Sequence, residues 1–191
     1  MHAPQGTGAL FVRKGTLLKP MLIGGNHERQ RRAGTENLPG IVGLGKAAEM
    51  AMKAFADGSV EKIAAMRDRL EASILKNIDE TGVNGEGSPR VPNTTNIHID
   101  HIEGEATIIA LDLKGLAVST GAACSSGAIE PSHVLTAMGL PAEQARSSIR
   151  FSLGKHNSEA DIDFALSILP ETVARLRELS PVYNKKVAVS S

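Results

Sequence analysis

Residues 119–153 read STGAACSSGAIEPSHVLTAMGLPAEQARSSIRFSL. Leu116 to Ser119 leads in as a short strand. The loop GAACSSGAIEPS follows, built of small residues, and it carries Cys124, the sole cysteine of the chain. Ser132 is placed to cap a short helix through Met138. Pro141 to Ala145 adds a helical turn, and Ile149 to Leu153 reads as a returning strand.

Outward from this stretch the order stays mixed α/β. Upstream, Gly8 to Arg13 (GALFVR) is a short apolar run that predicts a strand. Residues 24–40, GGNHERQRRAGTENLPG, form a polar, glycine-rich loop that is basic at Arg29, Arg31 and Arg32. Long loops in compact domains are usually functional. Gly40 to Phe55 predicts a helix. Ser59 to Asp79 predicts another, with Ile63, Met66, Leu70, Ile74, Leu75 and Ile78 at helical spacing. Gly82 to Pro92 reads as a loop, Thr94 to Ile99 as an alternating strand, and Glu103 to Asp112 as a helix. Downstream, Ser158 and Asp161 form an N-cap with an acidic first turn. They open a helix to about Leu179, with Ile162, Leu166, Leu169, Val173 and Leu176 on one face. The tail after Pro181 reads as flexible.

Composition narrows the function classes. The chain has 191 residues, 41% hydrophobic and 22% charged, as a soluble globular protein does. Its 21 basic and 21 acidic side chains cancel, so it lacks the basic field of a general nucleic-acid or membrane binder. Aromatic residues are 3%, too few to stack nucleic-acid bases. One cysteine excludes an internal disulfide and an all-cysteine metal site within one subunit. The lone thiol fits a reducing compartment. No apolar run reaches the roughly 18 residues of a membrane helix, and Met1 to Gly15 lacks signal-peptide order. The expected location is the cytoplasm.

Three residues stand out chemically, each with a plainer reading beside it. Cys124 sits in a loop that suits a moving thiol, although a lone Cys among Ala and Ser is more often a small packing residue. Thr35, with Gly34, precedes a helix where hydroxyl and N–H groups could meet a phosphate. Thr35 with Asn37 would equally serve as an ordinary helix cap. Arg150 lies inside the apolar strand Ser-Ile-Arg-Phe-Ser and, if buried, needs a carboxylate partner. A structural Asp or Glu is the favoured partner over a ligand. His27, His98, His101 and His133 lack metal-ligand spacing, and no dedicated metal site is expected. Glu103 and Glu105 read as solvated carboxylates at a helix start.

Taken together, HAPQGTGALFVRKG, GGNHERQRRAGTEN, RVPNTTNI, STGAACSSGAIEPSHVL and SSIRFSLG resemble the second half of a cysteine desulfurase of the NifS/IscS group. These are pyridoxal-phosphate enzymes of the class V aminotransferase type, and HAPQG and RRAGTEN lean to the NifS side. The resemblance implies an α/β chain: the C-terminal portion of a fold-type-I pyridoxal-phosphate transferase. Residues 1–54 would end the large cofactor domain, 55–180 would form most of the small domain, and 181–191 would be a flexible tail. The implied reaction takes L-cysteine to L-alanine with a persulfide on Cys124. Thr35 would reach the cofactor phosphate of a partner subunit, which implies a homodimer, and Arg150 would pair with the substrate carboxylate. The implied sulfur acceptor is an iron–sulfur scaffold protein, on which Cys124 could share a transient cluster.

The family's Schiff-base lysine lies just before the residues that match Met1 to Pro4. Lys14, Lys19 and Lys46 do not match it. The resemblance therefore implies a fragment that by itself neither bonds to the cofactor nor releases alanine, and whose first segment exposes apolar surface. Alternative readings are a non-catalytic sulfur-acceptor or partner-binding domain, a selenocysteine lyase, and another class V aminotransferase.

Overall fold

A computed structural model describes residues 2–120, 131–181 and 183. The chain divides into two compact units, Met1–Gly58 and Ser59–Ser191.

The first unit is organised by one helix, α1 (Leu38–Ala56). Its N-cap is Asn37, whose Oδ1 accepts the Gly40 N–H at 3.1 Å. Thr35 is therefore not the cap, because the carboxamide two residues later reaches the orphan helix donor first. Residues 4–7 lie against the helix where it carries glycine. A side chain at Gly40 would collide with Thr7 and Asn37, and one at Gly43 with the Pro4 ring. The strand expected at Gly8 to Arg13 does not form. A strand exists through a neighbour's hydrogen-bond ladder, and no described segment of this unit offers one. Much of the unit's apolar surface faces water, with Phe11 89%, Leu17 98% and Met21 96% exposed.

The second unit holds a packed core. Helix α2 (Ser59–Asn77) leads to β1 (Thr81–Val83), β2 (Thr94–Ile99) and α3 (Gly104–Asp112). Then come α4 (His133–Ala137), α5 (Ala142–Arg146), β3 (Ser148–Ser152) and α6 (Glu159–Leu179). The three strands form one antiparallel sheet in the order β1-β2-β3. Alternation along β2 sends Thr95, Ile97 and Ile99 to one face, where they are buried. Ile149 and Phe151 join them from β3. Met66, Leu70 and Ile74 from α2, Leu111 from α3, and Ile162, Leu169 and Val173 from α6 close the core over that face.

Polar groups lock the helices to the sheet. Arg67, buried in α2, donates from Nη1 to the carbonyls of Val91 and Thr94, each at 3.2 Å. Glu71, one turn on, accepts both Arg90 Nη groups at 2.8 and 3.0 Å and the Thr95 hydroxyl at 2.5 Å. The Arg90 hydrogen bonds hold the Glu71 carboxyl below its ordinary range, against the opposing effect of burial. Arg69 ties α2 to α6 through Glu159, at 2.6 Å, and Asp163.

Some expected elements differ. Gly82 and Val83, read as loop, belong to β1, because Ile97 and His98 opposite supply the ladder. Leu116 to Ser119, read as a strand, makes a single bridge at Ser119. Ser132 stands at the N-cap of α4 without a side-chain cap bond, and its carbonyl takes the Thr136 N–H and hydroxyl instead. At α6, Asp161 Oδ2 accepts the Ser158 N–H at 2.7 Å and its hydroxyl at 3.1 Å. Of the expected tail, Val182 and residues 184–191 lie outside the described residues.

Candidate functional site

Arg150 is the middle residue of β3 and stands opposite Asn96 of β2. Its neighbours Ile149 and Phe151 point into the core, so the two-residue period turns Arg150 to the other face. It is exposed there, and among the described residues its guanidinium makes no hydrogen bond or ion pair. This corrects the expected pairing with a structural Asp or Glu. That expectation assumed burial, and a guanidinium on the open face keeps its hydration and needs no protein partner.

The segment that leads to Cys124 is anchored on the same residue. The Arg150 N–H donates to the Ser119 carbonyl at 2.6 Å, and the Ser119 N–H donates back at 3.2 Å. Thr120 continues beside Gly104, where an added side chain would meet its methyl group. Cys124 itself lies outside the described residues.

The same face also carries a network of polar side chains, partly buried beside α5. Asn84, 7% exposed, donates from Nδ2 to Asn96 Oδ1 at 2.5 Å and to Ser148 Oγ at 2.9 Å. Its Oδ1 lies 2.9 Å from His98 Nδ1. The Ser148 hydroxyl donates to the Gln144 carbonyl of α5 at 2.6 Å. The His98 ring lies over Gly82, the residue opposite it on β1, and any side chain at 82 would strike the ring. Sequence reading missed this group. The polar alternate positions Thr94, Asn96 and His98 mark the face, but nothing local brings Asn84 and Ser148 to it.

In the first unit, Thr35 is exposed on the loop before α1. The N-terminus of α1 has few free donors. Leu38 N–H is taken by the Glu36 carbonyl, Pro39 has none, and Gly40 N–H is taken by Asn37. An anion near Thr35 would therefore meet its hydroxyl rather than the helix end. The same loop holds three consecutive non-glycine residues at positive φ, Glu28 (48°), Arg29 (56°) and Gln30 (66°). Each costs about 1–2 kcal/mol relative to a right-handed conformation. A cavity of about 1000 Å³ in this unit is lined by Lys19, Arg29, Arg31 and Arg32 together with Thr7 and Leu10. The Glu36 carboxyl on its wall is held below its ordinary range, first by a main-chain N–H, then by His27 at 3.1 Å.

Thr35 belongs to the first unit and Arg150 to the second, and each is placed within its own unit. His98 is bound to Asn84, and His101 lies 3.4 Å from Glu80. Among the described residues, no three His, Cys, Asp or Glu converge as metal ligands. No described helix is long and apolar enough to cross a membrane.

Comparison with known proteins gives one consistent family. The family model described as aminotransferase class-V matches residues 1–164. The cysteine desulfurase of Trichormus azollae is 53% identical over 184 residues, covering 96% of this chain and 46% of that protein. The cysteine desulfurase NifS of Azotobacter vinelandii is 46% identical, again over 96% of this chain and 46% of the relative. The X-ray structure of a NifS-like protein from Rickettsia africae superposes with a TM-score of 0.69 at 35% identity, covering 80% of this chain and 39% of the other. The chain spans about half the length of the curated relatives it matches.

Proposed function

The chain belongs to the aminotransferase class-V family, and from that premise we propose that it supplies the sulfur-receiving and carboxylate-binding part of a cysteine desulfurase. In this reading residues 1–54 are the end of a large cofactor domain and 55–180 most of a small domain. The observation that carries the proposal is Arg150, an exposed guanidinium uncommitted among the described residues, beside the anchor of the Cys124 segment. A planar, bidentate donor on an open face suits the carboxylate of an amino acid.

Pyridoxal phosphate fits the residues present at one end. The Thr35 hydroxyl is exposed on a loop whose arginines offset a phosphate charge. When bound, the cofactor supplies the electron sink that lets the substrate's C–S bond break. The chain's own residues hold the substrate carboxylate and receive the sulfur. Arg150 holds and orients the substrate carboxylate. The Cys124 thiolate attacks the substrate Sγ, forming the S–S bond of a persulfide as the Cβ–Sγ bond breaks, and the carbon skeleton keeps that electron pair, takes up a proton and leaves as alanine. Cys124 lies five positions beyond the Ser119 anchor, a reach of about 17 Å at full extension. That length brings the thiol to substrate on Arg150 and then to an acceptor. The acceptor proposed is an iron–sulfur scaffold protein, and the assembly a cytoplasmic homodimer in which Thr35 serves the partner's cofactor.

The test is a fusion of this chain behind the N-terminal part of the Trichormus azollae desulfurase, assayed with L-cysteine and pyridoxal phosphate. The fusion is expected to release alanine and sulfide, and the isolated chain neither. Cys124→Ser is expected to keep cofactor absorbance and form no persulfide. Arg150→Gln raises KM about tenfold or more, the loss expected for a hydrogen bond to a charged group. A folded, cofactor-loaded fusion that makes no alanine would refute the proposal, as would undiminished turnover by Cys124→Ser.

A further inference from the structure

The hydrogen-bond network beside Arg150 has only one consistent direction. It starts at the Gln144 main-chain carbonyl, which can only accept. The Ser148 hydroxyl therefore spends its proton there, at 2.6 Å, and can only accept from Asn84. That places Nδ2 of Asn84 on the Ser148 side and its Oδ1 against His98, whose Nδ1 must carry the proton. The second Asn84 Nδ2 proton goes to Asn96, which must present its oxygen, at 2.5 Å. The Asn96 Nδ2 group is thereby turned away from Asn84, and among the described residues it makes no hydrogen bond.

Asn96 is the direct cross-strand partner of Arg150 on the same face of the sheet. Directly opposed side chains on one face stand about 5 Å apart at Cβ. An uncommitted amide donor and an uncommitted guanidinium thus lie side by side, one held in orientation by a buried carboxamide and the other free.

We infer that Asn96 Nδ2 is a second donor to the amino-acid carboxylate bound by Arg150, and that Asn84 is the positioning residue that aims it. The inference rests on the reading of Arg150 as the carboxylate site. Arg150 supplies charge and reach from a flexible stem. Asn96 supplies a fixed direction, set through Asn84 and Ser148 by the α5 backbone.

Titration of the full chain with L-alanine, followed by NMR at the Arg150 Nε–Hε and Asn96 Nδ2 signals, tests it. L-Alaninamide, which lacks the carboxylate, is the control. Both signals are expected to move with one midpoint, and alaninamide to move neither. Asn96→Ala is expected to weaken the apparent affinity at Arg150 about tenfold. Asn96→Asp keeps the oxygen that Asn84 needs and sets a carboxylate beside Arg150, so it should abolish the Arg150 response while the backbone spectrum stays folded. An Arg150 response with a silent Asn96, unchanged in Asn96→Ala, overturns the role of Asn96 and leaves Arg150 as the site. No response at either, or an equal response to alaninamide, overturns both.

Discussion

Replacing Asn84 by alanine should destabilise the second unit by about 3 kcal/mol. The side chain is 7% exposed and makes three hydrogen bonds, at 2.5, 2.9 and 2.9 Å. Each is worth about 1 kcal/mol net, and more where the abandoned partner stays dry. Ser148 is fully buried but keeps its bond to Gln144, whereas Asn96 and His98 are half-buried and can recruit water. The wet partners pull the cost down and the dry one pushes it up, so the sum stays near three average bonds. With a urea m-value of about 2 kcal/mol/M, the midpoint falls by about 1.5 M. Urea unfolding followed by far-UV circular dichroism reads it. Asn157→Ala serves as the control, because the bonds it removes, from the Gly154 N–H at 2.8 Å and to the Asp161 carboxyl, are exposed. A midpoint shift for Asn84→Ala no larger than the control's would show that Asn84 is solvated rather than the hub of a network.

Two further substitutions test the strained loop and the α2–sheet lock. Gln30→Gly keeps the backbone at its φ of 66° without the side-chain penalty, so it should stabilise the first unit by about 1 kcal/mol, read as slower hydrogen exchange along α1. Glu71→Gln probes the lock by pH. A carboxyl held below its ordinary value adds stability that is fully present above about pH 4.5 and is lost as pH falls through the lowered value. The wild type should therefore lead the variant at neutral pH and converge on it in acid, and a gap that stays constant with pH would contradict the assignment.

Legibility followed how local each feature is. Helix α6 was readable from Ser158, Asp161 and a five-residue apolar face, because a helix closes its hydrogen bonds within one turn. Strand β2 was readable because Thr94 to Ile99 alternates and the alternation matches one buried face. The run at Gly8 to Arg13 is as apolar but pairs with no described segment of its unit, and Gly82 with Val83 looks like loop yet pairs with β2. A strand's state depends on residues far away in sequence, which no local pattern contains.

The sequence by itself determined the family through five ordered motifs, and the same motifs single out Thr35, Cys124 and Arg150 as the residues proposed to carry its chemistry. The structure alone decided what surrounds Thr35 and Arg150. Asn37 took the cap from Thr35 because its oxygen reaches the Gly40 N–H. Arg150 turned to open face rather than to a buried acid because strand register, set by the core on the other side, put Ile149 and Phe151 inward. The same register set Asn96 beside it, and a loop residue and an α5 carbonyl oriented that amide. The placing of Arg150 and of Asn96 depends on pairing across the sheet, where one residue of slip exchanges the two faces.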